Sequence, residues 1–221
     1  MQPAQLVIFD CDGVLVDSEV ISNEILARAL SAEGLPTTLA QSRAAYQGLL
    51  LCEVLERAEC SLGRALPEGW LARYESDRAE AFRSELRPVA GAAEAVQACR
   101  AAGLAVCVAS QGKLEKTRLS LELTGLAPLF AEKALFSAEL VARGKPHPDL
   151  FLHAARSMGA TPQSSVVVED TPSGVQAAVA AGMRALGYAG DADAGALAAA
   201  GAQVIRSLDE LLEQLQPVGD R

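Results

Sequence analysis

The sequence predicts an α/β fold: a parallel sheet with helices on both faces, interrupted by a small all-helical insertion. Three observations predict it. Apolar runs at residues 6–9, 104–109 and 166–168 show no alternation of polar and apolar side chains, as expected of strands buried on both faces. Helical stretches at 94–102 and 174–181 flank those runs and stop at Gly103 and Gly182, residues suited to closing a helix. Strand and helix in repetition imply right-handed crossovers and a parallel sheet. Residues 18–87 break that alternation and carry helical patterns alone.

Leu6-Val7-Ile8-Phe9 is the first strand, and it closes on Asp10-Cys11-Asp12-Gly13. Helical patterns follow at 20–33, 51–58 and 70–85, separated by the turn signals Gly34-Leu35-Pro36 and Leu66-Pro67-Glu68-Gly69. With no convincing strand to extend the sheet, these helices are expected to form a small bundle of their own. The division expected is residues 1–17 and 88–221 for the α/β domain and 18–87 for the helical one, with a natural hinge at the crossings near Asp17 and Pro88. Beyond Pro88 come the helix 94–102, the strand 104–109 closing on Ser110, and a helix from Leu114. A short strand at 134–136 precedes Gly144-Lys145-Pro146-His147-Pro148-Asp149, and the strand 166–168 closes on Glu169-Asp170. The Ala/Gly-rich stretch 190–202 reads as a short helix with its loops.

Composition narrows the function. With 221 residues, half of them hydrophobic, the chain has material for a sizeable core. Its 19 Lys and Arg against 28 Asp and Glu leave a net charge of −9, which argues against a nucleic-acid binder needing a basic stripe. A small anionic substrate remains compatible, because one local cation inverts the field inside a pocket. The five cysteines, Cys11, Cys52, Cys60, Cys99 and Cys107, are scattered and never paired as CxxC. They are expected to be mostly buried small apolar residues in a reducing compartment. No basic leader or long apolar segment is apparent, so the expectation is a cytoplasmic chain, without membrane partners, that is a monomer or weak homodimer.

The chemistry lies in what ends each apolar run. In an open parallel sheet, ligands sit in the crevice at the carboxyl ends of the strands. Asp10 and Asp12, Ser110, Lys145, and Glu169 with Asp170 should therefore converge. Several carboxylates in one crevice repel each other unless a cation sits among them. Oxygen ligands without His or Cys favour a hard ion, Mg²⁺ before Ca²⁺. Lys145 and Ser110 beside such an ion make a phosphate clamp. One of the paired aspartates can attack phosphorus while the other supplies and recovers a proton. Gly13 permits a sharp turn that frees backbone N–H groups for phosphate oxygens.

The segment Asp10-Cys-Asp-Gly-Val-Leu-Val-Asp-Ser18 resembles the first motif, DxDGxxxDS, of the haloacid dehalogenase superfamily. Ser110 resembles the second motif, Lys145-Pro146-x-Pro148-Asp149 the third, and Glu169-Asp170-x-x-x-Gly174 the fourth. The resemblance runs from Phe9 to about Gly182 and implies a Rossmann-like core with the helical insertion as its cap. It also implies Mg²⁺ as cofactor and a small phosphorylated metabolite as substrate. By that resemblance Asp10 is the nucleophile and a metal ligand, and Asp12 is the general acid/base with its carbonyl on the metal. Asp170 and Glu169 complete or support the metal shell, Glu169 either as a direct ligand or as a residue behind one. Ser110, Gln111, Lys145 and Gly13 serve the phosphoryl group, while Asp17 and Ser18 stand at the hinge.

The branch resembled is that of sugar-phosphate phosphatases, including those of 6-phosphogluconate. Dehalogenases of the superfamily lack the second acid that Asp12 provides. Phosphomutases of the branch carry a basic cap residue for a second phosphate, whereas residues 46–52 hold no Lys or Arg and Ser22 and Asn23 stand where mutases often have His. A catalytically silent module should have lost a site acid, yet all are present. Glu19, Asn23, Gln47, Arg43 and Arg78 are the candidates to touch a leaving group, against the plainer reading of each as a solvated helix-face residue. Ser110 has a plainer reading too, as the cap of the helix that follows it. His147 reads as a loop residue and His153 as a helix-face residue. Cys11 should point into the core, opposite to its neighbours.

Overall fold

A computed structural model describes residues 3–215 of the chain, which divides into two compact units, Met1–Val16 with Pro88–Arg221, and Asp17–Arg87. The first unit is built on six parallel strands: β1 (Leu6–Phe9), β2 (Ala105–Ser110), β3 (Leu135–Ser137), β4 (Ser165–Glu169), β5 (Arg184–Tyr188) and β6 (Gln203–Ile205). Their order across the sheet is β3-β2-β1-β4-β5-β6. The chain thus leaves β1 toward β2 on one side and reaches β4 on the other. That reversal opens a crevice beyond the carboxyl ends of β1, β2 and β4.

The registers bring the strand ends level. Phe9 lies opposite Val108 on one side and Val168 on the other, and Ser110 lies opposite Ser137. The ladder extends one bond past the strand, where the Asp10 N–H donates to the Val168 carbonyl at 2.9 Å. β1 and β4 are buried throughout, as a doubly covered parallel strand must be. Leu6, Ile8, Cys107 and Val167 pack in one cluster with Leu150, Phe151 and Ala154 of α7 (Asp149–Ser157) and with Val175 and Ala178 of α8 (Pro172–Ala180). On the alternate face Val7 and Phe9 are equally buried, and the Phe9 ring meets Phe130 edge-on at 6.4 Å.

The remaining helices of this unit are α5 (Ala92–Ala101), α6 (Leu114–Leu123), α9 (Ala194–Ala199) and α10 (Leu211–Leu215). The other unit holds α1 (Glu19–Ala32), α2 (Leu39–Tyr46), α3 (Leu51–Leu62) and α4 (Trp70–Glu85), with no strand among its described residues. Helix α2 is absent from the sequence reading, although Thr38 and Gln41 form the capping box that starts it. Strands β5 and β6 also went unread. β5 is a short run that contains Gly187, where a Cβ would come within 2.8 Å of Ala202 Cβ, and β6 has only three residues. Among the described residues no helix is long and apolar enough to cross a membrane.

Most of the cysteines are buried, as expected. Cys11, Cys99 and Cys107 are buried, but Cys52 and Cys60 lie exposed on α3. Burial pushes the Cys99 thiol up to about 11 and holds those of Cys11 and Cys107 far above the ordinary thiol range. Since the thiolate is the reactive form, these three are expected to resist alkylation in the native protein at pH 8. A thiol reagent should titrate two groups rapidly in the folded chain and all five after denaturation. Rapid native reaction of a third would contradict the burial described.

Candidate active site

The site is assembled from the loops that leave β1, β2 and β4, and from the segment after β3. Immediately after β1 the chain folds on itself: the Cys11 carbonyl accepts from the N–H groups of both Leu15 and Val16, and the Gly13 N–H donates to Val16 O at 2.9 Å. This loop buries Cys11 completely and leaves Asp10 and Asp12 on the crevice side. Gly13 adopts φ 76°, and a Cβ there would stand 2.0 Å from Asp170 Oδ2. Any side chain at position 13 would therefore displace the Asp170 carboxylate, a reason for glycine beyond the turn itself.

Asp10, Glu169 and Asp170 are buried, and one carboxylate oxygen from each lies within 4.8 Å of the others. Among the described residues this is the group of side chains suited to hold a metal ion. The donors are all oxygens, as a hard divalent cation requires. The Asp12 side chain does not belong to that group.

Lys145 enters the same space. Its Nζ donates to Asp10 Oδ1 and to Glu169 Oε1, each at 2.5 Å, and to the Ala109 carbonyl at 3.1 Å. An ammonium has three protons, and all three meet protein oxygens here. The Phe151 ring lies beneath it, 5.1 Å from Nζ to the centroid. Burial pulls the Lys145 pKa down, but Asp10 and Glu169 outweigh it and leave the ammonium above its ordinary value. Asp10 is pushed up to about 7, chiefly by burial and further by Glu169 and Asp12, while Lys145 opposes the rise. A buried carboxylate so disfavoured as an anion is what a site short of positive charge looks like, and a divalent cation would relieve it.

Glu169 is held from its other side. Its Oε2 accepts from the Thr171 N–H at 3.0 Å and from Thr171 Oγ1 at 2.9 Å, and Thr171 Oγ1 in turn accepts from the Gly174 N–H at the start of α8. A Cβ on Gly174 would fall 1.9 Å from the Glu169 carboxyl carbon. The spacing from Glu169 to Gly174 is thus a packing requirement: the first turn of α8 passes directly against the carboxylate. Gln111 performs a similar service for Lys145. Its Oε1 accepts from the Lys145 N–H at 2.9 Å and its Nε2 donates to the Lys145 carbonyl at 3.3 Å, so it clasps the Lys145 backbone.

Ser110, at the end of β2, does not cap the helix that follows; α6 starts after Lys113, and the Ser110 Oγ accepts from the Gly112 N–H at 3.1 Å. The same hydroxyl donates to Asp12 Oδ2 across 3.5 Å. The other Asp12 oxygen, Oδ1, is paired with Lys116 Nζ. Lys116 went unread in the sequence. A lysine in the first turn of a helix is usually a surface residue, and only the fold brings it to Asp12.

The candidates from the helical unit fare differently. Asn23 is buried, and its amide is committed within that unit: Nδ2 donates to the Glu19 carbonyl at 2.8 Å and to Glu19 Oε2 at 3.3 Å, and Oδ1 accepts from Ser42 Oγ at 2.9 Å. It ties α1 to α2. Gln47 ends α2, and its N–H donates to Arg43 O at 3.2 Å. Arg78 lies over the Tyr74 ring at 5.1 Å, and Tyr74 stacks on Trp70. Asp17 donates its N–H to Arg87 O, and Ser18 is buried at the start of α1. His147 is exposed in its loop, and His153 on α7 meets the Phe136 ring edge-on at 5.5 Å.

Residues 4–182 match the family model described as haloacid dehalogenase-like hydrolase. The chain is 30% identical over 192 residues to 6-phosphogluconate phosphatase of Escherichia coli, covering 86% of this chain and 85% of that protein. It is 29% identical over 214 residues to hexitol phosphatase A of the same organism, covering 96% and 95%. Among solved structures, a hydrolase of the same family from Deinococcus radiodurans, with bound phosphate and sodium, superposes with a TM-score of 0.77 at 33% identity over 96% of each chain.

Proposed function

The chain belongs to the haloacid dehalogenase-like hydrolases, and from that membership we propose that it is a Mg²⁺-dependent phosphatase of small phosphorylated carbohydrates. The observation that carries this reading is the buried Asp10 carboxylate. It stands at the end of the central strand, in contact with Lys145 and within 4.8 Å of Glu169 and Asp170. The two curated relatives act on a phosphorylated sugar acid and on hexitol phosphates, as their names say, and the Deinococcus relative binds phosphate.

Asp10, Asp170 and Glu169 would hold the Mg²⁺, with the Asp12 backbone carbonyl as a further oxygen. When bound, the ion supplies positive charge to the phosphoryl oxygens. An Asp10 carboxylate oxygen attacks phosphorus, and the bond from phosphorus to the sugar oxygen breaks. That oxygen keeps the electron pair and takes a proton from Asp12, so the sugar departs as an alcohol. Asp12, now ionised, draws a proton from water as the water oxygen attacks the aspartyl-phosphate. The Asp10–phosphorus bond breaks, inorganic phosphate leaves, and both carboxyl groups return to their starting states. Lys145 fixes the Asp10 carboxylate and offsets negative charge beside it. The Ser110 hydroxyl and the backbone N–H groups of Cys11 and Asp12 are the donors for the transferring group.

The purified protein is expected to release phosphate from p-nitrophenyl phosphate with Mg²⁺, to lose that activity in EDTA, and to regain it with excess Mg²⁺. A panel of phosphorylated sugars, sugar acids and hexitols should then yield a preferred substrate. No release above an Asp10→Asn background would overturn the reading. The mutase alternative is checked on glucose 1-phosphate, where isomerised sugar phosphate without free phosphate would replace hydrolysis as the activity.

A further inference from the structure

Resting on the phosphatase reading, we propose that Lys116 is a positioning residue that sets the carboxylate of Asp12 for proton transfer to the leaving oxygen. Three features of the core unit carry it. Lys116 pairs with Asp12 Oδ1 from 104 residues away, while Ser110 Oγ reaches Oδ2 of the same carboxylate. The two side chains of the ion pair are only 12% and 19% exposed, so solvent screens the pair less than an ordinary surface one. Gly112 leaves the lane open: a Cβ there would stand 3.3 Å from Lys116 Cδ and 3.4 Å from Ser110 Oγ.

The position of Lys116 within its own helix points the same way. It lies in the first turn of α6, where the helix dipole disfavours a cation. Helix stability therefore gives no reason for a lysine there, and the contact with Asp12 does. A general acid must lie within hydrogen-bond reach of the oxygen it protonates; when Asp12 carries its proton on Oδ2, Lys116 still holds Oδ1, so the carboxyl group has little freedom to turn away. Asp10 needs no such help, since Lys145 holds it independently. The two lysines thus divide the paired aspartates between them, one for the nucleophile and one for the acid.

A misplaced acid should matter most where the leaving group most needs a proton. Phenyl phosphate and p-nitrophenyl phosphate differ little in shape, but nitrophenolate departs readily without protonation. For Lys116→Met, kcat/KM is expected to fall about 100-fold with phenyl phosphate and less than about 10-fold with p-nitrophenyl phosphate. Lys116→Arg, which keeps the charge, should recover part of the loss with phenyl phosphate. Equal losses on both substrates, or a changed melting temperature with unchanged kinetics, would mark a merely structural lysine and overturn the proposal. A uniform loss together with weaker competitive inhibition by inorganic phosphate would make Lys116 a direct phosphate ligand, and would also overturn it. If the unsubstituted protein hydrolyses neither ester, the phosphatase reading fails and this inference falls with it. Activity in the unsubstituted protein alongside an indifferent Lys116→Met overturns the inference alone.

Discussion

Replacing Asp10 with asparagine is expected to lower turnover by at least about 10⁴-fold while leaving the fold intact. The amide keeps the size of the carboxylate but is no nucleophile, so the aspartyl-phosphate cannot form. Folding should tolerate the change for a specific reason. Burial already pushes the Asp10 carboxyl up to about 7, which means that its charged form is disfavoured in this site. Removing the charge removes that penalty, while Lys145 retains Glu169 and the Ala109 carbonyl as partners. Steady-state hydrolysis with Mg²⁺, thermal denaturation, and mass spectrometry of acid-quenched enzyme together check the outcome. A variant that retains turnover, or still gains the mass of a phosphoryl group at this site, would show that the nucleophile lies elsewhere.

The second large effect is expected at Lys145, and it should appear in stability as well as in rate. Lys145→Met leaves the buried carboxylates of Asp10 and Glu169 without the cation that now touches both. Breaking a buried ion pair from one side typically costs about 3–5 kcal/mol. Proton uptake by Asp10 should trim that cost toward the lower end. At roughly 2–4 °C per kcal/mol for a chain of this size, the melting temperature should fall by about 10 °C. Turnover should drop by about 10²–10³-fold, the usual consequence of losing one charged donor beside a reacting centre. Adding Glu169→Gln removes one of the stranded charges and should restore part of the stability with no return of turnover. Denaturation and kinetics on the two variants check this. A Lys145→Met protein as stable as the original would mean that the ammonium is not what reconciles the two carboxylates.

Much of the architecture was legible because its signals are local. The runs at 6–9 and 166–168 lack polar alternation, and both became central parallel strands. The pattern at 70–85 became α4 with the same ends. Helix α8 starts two residues before the predicted 174, because Thr171 caps it and Pro172 is favourable at its first position. The missed helix α2 has only Leu39 and Tyr46 as large apolar residues, too few for a periodic pattern, so that only its capping box announces it. The missed strands β5 and β6 lie toward the far edge of the sheet, and β6 is too short for a periodic signal.

By itself, the sequence determined that Asp10, Asp12, Ser110, Glu169 and Asp170 should stand at or just past strand ends on one side of a parallel sheet. That conclusion needs only the strand pattern and the rule that all parallel strands end on the same side. Tertiary structure alone decided how those residues are divided among partners. Lys145 faces Asp10 and Glu169, Lys116 faces Asp12, Thr171 secures Glu169, and Gln111 clasps the Lys145 backbone. The physical reason is range. Strand and helix signals are carried by neighbours in the chain, whereas each of the two lysine contacts to an aspartate joins residues more than a hundred positions apart. Such contacts follow from sheet order and loop path, which no stretch of sequence encodes by itself.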